Sequence, residues 1–260
     1  RRRRRALAPA PVAAGGRGPR GSLSHEVAVV LRGRTTATSW SAARKVVLDR
    51  EGPRARCETG PVTTQQPDDR PVAGVLLTPG AGASRDHRAL VAIDDALAAL
   101  DPPVPVRRVD FPYRIAGKRM PDRPPVAIAH VRDEAEAFAA ELGTTTDHLV
   151  LGGRSYGGRM CSMAVAEGLP AAGLALVSYP LHPPGKPERL RTEHFPDLHV
   201  PVLLVSGRTD PFATPDELAE HTAAIPGPVT RVELPGAHDL KGQDAAVCES
   251  VVRWLATLGA

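Results

Sequence analysis

No apolar run in this chain of 260 residues is long enough to span a bilayer; the stretch at 200–205 is among the longest, and a membrane helix needs about 20 residues. Cysteine is scarce. Cys57, Cys161 and Cys248 are odd in number and widely separated, with no CxxC pair. That argues against both a disulfide framework and a structural zinc site. It fits a reducing compartment, so a cytoplasmic location without a membrane partner is expected. No internal repeat is evident, and no GK[ST] follows a glycine-rich turn, which disfavours a phosphate loop.

What is present is unevenly spread. Residues 1–70 hold 15 of the 33 Lys and Arg but only 6 of the 29 Asp and Glu, a surplus of nine positive charges. The remaining residues carry 18 basic and 23 acidic groups, a net of −5. The basic balance therefore belongs to the N-terminal quarter, and no nucleic-acid partner is expected for the rest. The chain opens with five arginines and continues ALAPAPVAAGGRGPRG. This composition shows no apolar period and cannot bury enough surface to offset ordering entropy. As a secretory signal the stretch is too short and is broken by Pro9 and Pro11. An arginine run can bind nucleic acid or anionic lipid, but a solvated extension over residues 1–70 is the preferred reading. Short local structure is expected at 27–32 and 46–49, with a weak strand pair near 55–66.

From residue 71 the texture changes. Strands are expected at 73–78, 104–109, 148–152, 173–178, 200–206 and 229–234. Helices are expected at 86–100, 126–142, 156–168, 214–225 and 242–258. The 126–142 segment gathers Ala127, Val131, Phe138 and Leu142 near one face, with Arg132, Asp133, Glu134 and Glu136 largely elsewhere. Thr214-Pro215-Asp216-Glu217 reads as a helix start with a capping box and a proline at the first helical position. Strands alternating with helices imply an α/β domain at 71–260 with a mostly parallel sheet and helices on both faces.

In such a sheet, functional residues follow the carboxyl ends of strands. Strand 148–152 runs into Gly153-Arg154-Ser155-Tyr156-Gly157, a GxSxG placed between strand and helix. Crowding explains the pattern. The serine must stand on a sharp, strained turn, and its small neighbours let strand and helix approach. The helix N-terminus offers backbone N–H groups and a favourable dipole to a developing oxyanion.

A serine hydroxyl is a weak nucleophile until a base takes its proton and an acid orients the base. Strand 200–206 leads to Gly207-Arg208-Thr209-Asp210, and strand 229–234 leads to Pro235-Gly236-Ala237-His238. The intervals of 55 and 28 residues suit one or two βα units each. Ser155, Asp210 and His238 are therefore the candidate nucleophile, acid and base. Asp239 is a loop neighbour expected to face away from the ring, Asp216 suits the helix dipole, and His194 and His199 look solvated. An oxyanion hole needs a second N–H from the loop after an early strand. The loop Pro79-Gly80-Ala81-Gly82-Ala83-Ser84 supplies it, so the Ala81 N–H is expected to act with the Tyr156 N–H. Past strand 173–178, Tyr179, Leu181 and His182 are read as substrate-binding positions.

On these residues the chain resembles the α/β-hydrolase superfamily, over about 71–260. Within it, LLTPGAGASRDH, GGRSYGG, SYPLHPPGKPERLR, SGRTDPFATPDEL and GAHD are similar to segments of the compact, lid-less, dienelactone-hydrolase-like branch of small bacterial hydrolases. The resemblance implies a three-layer α/β-hydrolase fold with no large cap domain, and Ser155, Asp210 and His238 as a triad. Relatives often have His-Gly in the oxyanion loop where this chain has Pro79-Gly80. Only 177–199 leaves room for a flap, and its prolines shape a loop rather than a helical cap. An open site suits small or polar acyl groups. The expected activity is hydrolysis of a carboxylic ester or thioester of a small soluble molecule, without metal or organic cofactor. A small peptidase would use the same machinery, and the alternative is a non-catalytic α/β-hydrolase-like scaffold that binds a partner.

Overall fold

The computed structural model describes residues 72–259. The extension expected over 1–70, with its short elements at 27–32, 46–49 and 55–66, lies outside the described residues. Among the described residues there are six strands: β1 (Gly74–Thr78), β2 (Val106–Arg108), β3 (Leu149–Arg154), β4 (Gly173–Val177), β5 (Val202–Gly207) and β6 (Val229–Leu234). Six α-helices accompany them: α1 (Arg88–Ala98), α2 (Pro112–Ile115), α3 (Pro124–Glu141), α4 (Tyr156–Ala166), α5 (Pro215–His221) and α6 (Asp244–Leu258). The strands form one sheet in the order β2-β1-β3-β4-β5-β6, and every pairing is parallel.

The period-2 alternation of the strands builds two cores. Leu76, Leu149, Leu151, Leu174, Leu176, Val202 and Leu204 face one side, where α3 and α4 supply Val131, Phe138, Met160 and Ala164. Val75, Leu77, Val150, Ala175, Val177, Leu203 and Val205 face the other, against Leu90, Ile93 and Leu97 of α1 and Val247, Val251 and Trp254 of α6. Each fully buried Leu contributes about 2 kcal/mol relative to exposure. Central strands buried on both faces read as continuous apolar runs, which is why β1, β4 and β5 were legible. The edge strand β6 alternates instead between exposed and half-buried residues.

Element ends differ from the sequence reading for local reasons. α3 begins at Pro124, earlier than its apolar pattern shows, because proline is tolerated in a first helical turn. α5 has the expected capping box, with Thr214 accepting from the Glu217 N–H and the Glu217 carboxylate accepting from the Thr214 N–H. It gives way after His221 to a 3-10 turn at Thr222–Ala224. β3 runs through Gly152 and Gly153 to Arg154, two residues past the expected end, since both glycines pair with β4. The α2 turn has no apolar period and was not expected.

Between β4 and β5 the chain makes turns and one 3-10 turn at Phe195–Asp197, so there is no helical cap. Among the described residues no helix is long and apolar enough to cross a membrane. The chain leaves β1 for β2 on one side and returns to β3 on the other. The loops after β1 and β3 therefore meet at the point where strand order reverses, which is where open α/β sheets place their ligand crevice.

Candidate active site

Ser155 lies between β3 and α4 with φ 52° and ψ −117°. A non-glycine residue at positive φ stores about 1–3 kcal/mol of strain, which surrounding contacts must hold. Glycines on either side of the serine let those contacts form. At Gly153, with φ 154°, a Cβ would lie 2.1 Å from the Thr78 carbonyl oxygen. At Gly157 it would lie 2.5 Å from Thr78 Oγ1. The two glycines let β1, β3 and α4 close around the turn. Ser155 is the N-cap of α4, yet its hydroxyl makes no capping bond. It lies 2.8 Å from His238 Nε2 instead.

His238 Nδ1 lies 2.8 Å from Asp210 Oδ2. A carboxylate can only accept, so Nδ1 carries the proton and Nε2 is left to accept from the Ser155 hydroxyl. Asp210 Oδ1 accepts from the Phe212 N–H at 2.9 Å, and the carboxyl group is fully buried. The structure thus joins Ser155, His238 and Asp210 in one directed hydrogen-bond chain across three strand ends. Asp239 is exposed, and its Oδ1 accepts from the Lys241 N–H.

The His238 loop is tied to its surroundings by groups that sequence reasoning missed. Arg154 Nη2 donates to the His238 carbonyl at 2.9 Å. The Arg88 guanidinium donates to the next carbonyl, of Asp239, and pairs with Asp244. The Phe212 ring packs on the imidazole with centroids 4.1 Å apart. Burial, more than any neighbouring charge, lowers the pKa of Arg154.

The β1–α1 loop lies against the serine. A Cβ on Gly80 would sit 3.4 Å from Ser155 Cβ. The loop's own bonds run from the Ala83 N–H to the Gly80 carbonyl and from the Gly82 N–H to Tyr113 Oη, and the Ala81 N–H enters neither. Tyr156 is the first residue of α4, so its N–H has no intrahelical acceptor. Its hydroxyl donates to the Asp122 carbonyl at 2.8 Å, and burial raises its pKa. The segment 109–123 therefore forms a wall beside the β1–α1 loop and Tyr156 that its irregular sequence did not announce.

Tyr179 and Leu181 are fully buried, and His182 is 5% exposed. The Tyr179 hydroxyl donates to the Arg191 carbonyl, and the His182 N–H donates to the Phe212 carbonyl. All three side chains turn into the protein in this structure, and of the three it is the His182 backbone that meets the loop carrying Asp210. Cys161 is also buried; burial pushes its thiol up to about 12, which leaves it protonated and inert. Cys161 and Cys248 are both free. Among the described residues no group of three or more His, Cys, Asp and Glu is placed to hold a metal.

His194 is not solvated as the sequence suggested. Ser162 donates its proton to the Arg159 carbonyl, so the hydrogen bond of 2.8 Å between Ser162 and His194 runs from the Nε2–H to the hydroxyl oxygen. Burial first, then the charge of Arg159, pulls the His194 pKa down to about 4. In the unfolded chain the ring titrates near about 6.5. Between these values the unfolded state binds the extra proton, so stability contributed by neutral His194 is present above about pH 6.5 and is lost as pH falls toward 4. Melting temperature should drop across that window, and His194→Gln should flatten the drop; parallel pH profiles for the two proteins would contradict it.

Comparison with known proteins agrees with the fold. Residues 71–249 match the family model of the alpha/beta hydrolase domain, and the chain belongs to that family of hydrolases. No curated protein matches. Among solved structures, Est1E from Butyrivibrio proteoclasticus with ferulic acid bound is 18% identical, with a TM-score of 0.60 over 73% of this chain and 91% of that one. A protein of the alpha/beta superfamily from Xanthomonas campestris is 18% identical, with a TM-score of 0.54 over 71% and 99%. A dienelactone hydrolase from Anabaena variabilis is 15% identical, with a TM-score of 0.56 over 74% and 88%. At these identities the likeness is one of fold.

Proposed function

We propose that the protein is a serine hydrolase that cleaves a carboxylic ester or thioester of a small molecule through an acyl-enzyme, and that residues 71–260 form the catalytic unit. The directed chain from Asp210 through His238 to Ser155 carries this reading. The Ser155 oxygen attacks the substrate carbonyl while His238 Nε2 takes its proton, and buried Asp210 stabilises the imidazolium. The carbonyl oxygen becomes an oxyanion facing the Ala81 and Tyr156 N–H groups. Collapse breaks the bond to the leaving alcohol or thiol, which receives the proton from His238. Water then repeats the cycle on the acyl-enzyme, with His238 again the base, and releases the acid and the free serine. No step needs a metal or organic cofactor.

Tyr179, Leu181 and His182 act by shaping the acyl pocket from behind. The free cysteines fit a reducing, cytoplasmic setting. Mixing the protein with 4-nitrophenyl acetate should release a rapid burst of about one equivalent of nitrophenol per chain before the steady rate, the kinetic mark of an acyl-enzyme. Release no faster than in buffer, across acetyl to octanoyl esters and their thioesters, would remove the proposal.

A further inference from the structure

The excursion between β4 and β5 and helix α4 border an open cavity of about 530 Å³ that the reaction above does not use. Arg159, Arg189 and Arg191 line it, together with Glu188 and Glu193. Several other arginines find partners. Arg88, Arg107, Arg108 and Arg253 pair with carboxylates, and Arg154 holds the His238 carbonyl. Among the described residues the three cavity arginines form no ion pair and no side-chain hydrogen bond. Arg159 Nε is moreover buried without a partner. A buried donor left unmade carries its full desolvation cost. The three charges also crowd one another: burial, then the charge of Arg159, lowers the Arg191 pKa.

The fold fixes the three backbones rather than letting them drift apart. Arg159 sits in the first turn of α4, with its N–H on the Ser155 carbonyl. The Arg191 carbonyl accepts from buried Tyr179, and the Arg189 N–H closes a turn on Lys186. His194, bonded to Ser162 of α4, pins the end of the excursion. With three arginines and two glutamates the lining has a net charge of +1, which suits one monoanionic group.

We propose that this cavity is an anion-binding subsite that takes a carboxylate or phosphate group of the molecule whose ester Ser155 attacks. A guanidinium matches the oxygens of either group through paired N–H donors, and such a group would satisfy Arg159 Nε and offset the crowding. Arg159 follows Ser155 by four residues on one helix, about 6 Å along its axis. The anion would thus sit a short acyl chain from the reacting carbonyl. The link to Ser155 rests on the hydrolase reading above; the binding of an anion does not.

Two measurements separate those claims. Titration calorimetry of the wild-type protein with inorganic phosphate and with succinate should show saturable binding of at least one, which identifies the preferred group. Arg159→Gln and Arg191→Gln should each weaken it by about tenfold or more, as loss of a charged hydrogen bond implies, and Arg159→Lys should recover part. In parallel, the ratio of kcat/KM for 4-nitrophenyl hemisuccinate to that for 4-nitrophenyl butyrate should fall by about tenfold in the glutamine variants. Should Arg159→Gln fail to fold, Arg189→Gln carries the same test from an exposed position. Wild-type protein that binds neither anion, or variants that bind as tightly as wild type, would overturn the subsite. Binding with an unchanged kinetic ratio would sever it from Ser155, and binding without hydrolysis of any ester would retain the subsite and fail the hydrolase reading.

Discussion

Ser155→Ala should cut kcat/KM for an activated ester by about a factor of 10⁴ to 10⁶, the range set by losing the nucleophile of a hydroxyl–imidazole–carboxylate unit. The loss should be chemical and not structural. Among the described residues the only side-chain partner of Ser155 is His238, and the residue's N–H still reaches the Val177 carbonyl whatever its side chain. Alanine at φ 52° bears the same backbone strain as serine. Thermal melts of the two proteins should therefore coincide within a few degrees while their rates diverge by orders of magnitude. A variant that keeps a tenth of the rate would place the reacting oxygen elsewhere.

Asp210→Asn should be nearly as severe, at about 10⁴ in kcat. The amide oxygen can keep the Phe212 N–H at the Oδ1 position. Its NH₂ group is then forced toward His238 Nδ1, where the carboxylate had accepted. Two donors cannot share that contact, so the imidazole takes the other tautomer and presents a protonated Nε2 to Ser155. A protonated Nε2 cannot accept the serine proton, and the base is lost with the fold intact. Asp239→Asn is the contrast. That side chain is exposed and bonds only a neighbouring N–H, while its backbone carbonyl still anchors Arg88. Its rate should stay within about twofold of wild type, as for surface changes without special contacts. If Asp239→Asn were the crippling change and Asp210→Asn the mild one, the acid would be misassigned.

Most of this candidate site is legible in the sequence because its requirements are local. The sharp turn demands glycine at 153 and 157, and both sit in the sequence at fixed spacing from the serine. Buried parallel strands demand unbroken apolar runs, so the strand ends that carry Asp210 and His238 could be counted off. Parts built by tertiary contact were not legible. Arg154 read as a variable letter inside GxSxG, and only the packed structure shows it holding the His238 carbonyl. His194 looked like a solvated loop residue because nothing near it in sequence announces the Ser162 hydroxyl it meets on α4. Tyr179 and Leu181 lie in an irregular, proline-rich stretch where period gives no inside or outside, and both turned inward. The 109–123 wall, with Tyr113 and Asp122 reaching the β1–α1 loop and Tyr156, has no apolar period at all.

The central claim is that one serine, raised on its turn and bonded to His238, attacks carbon and phosphorus electrophiles. Intact-protein mass spectrometry after treatment with a fluorophosphonate tests it most directly. Wild-type protein should gain the mass of one phosphonyl group, mapped by peptide fragmentation to Ser155, and Ser155→Ala should gain none. A wild-type protein that remains unmodified, or an adduct of equal yield in both proteins, would contradict the account.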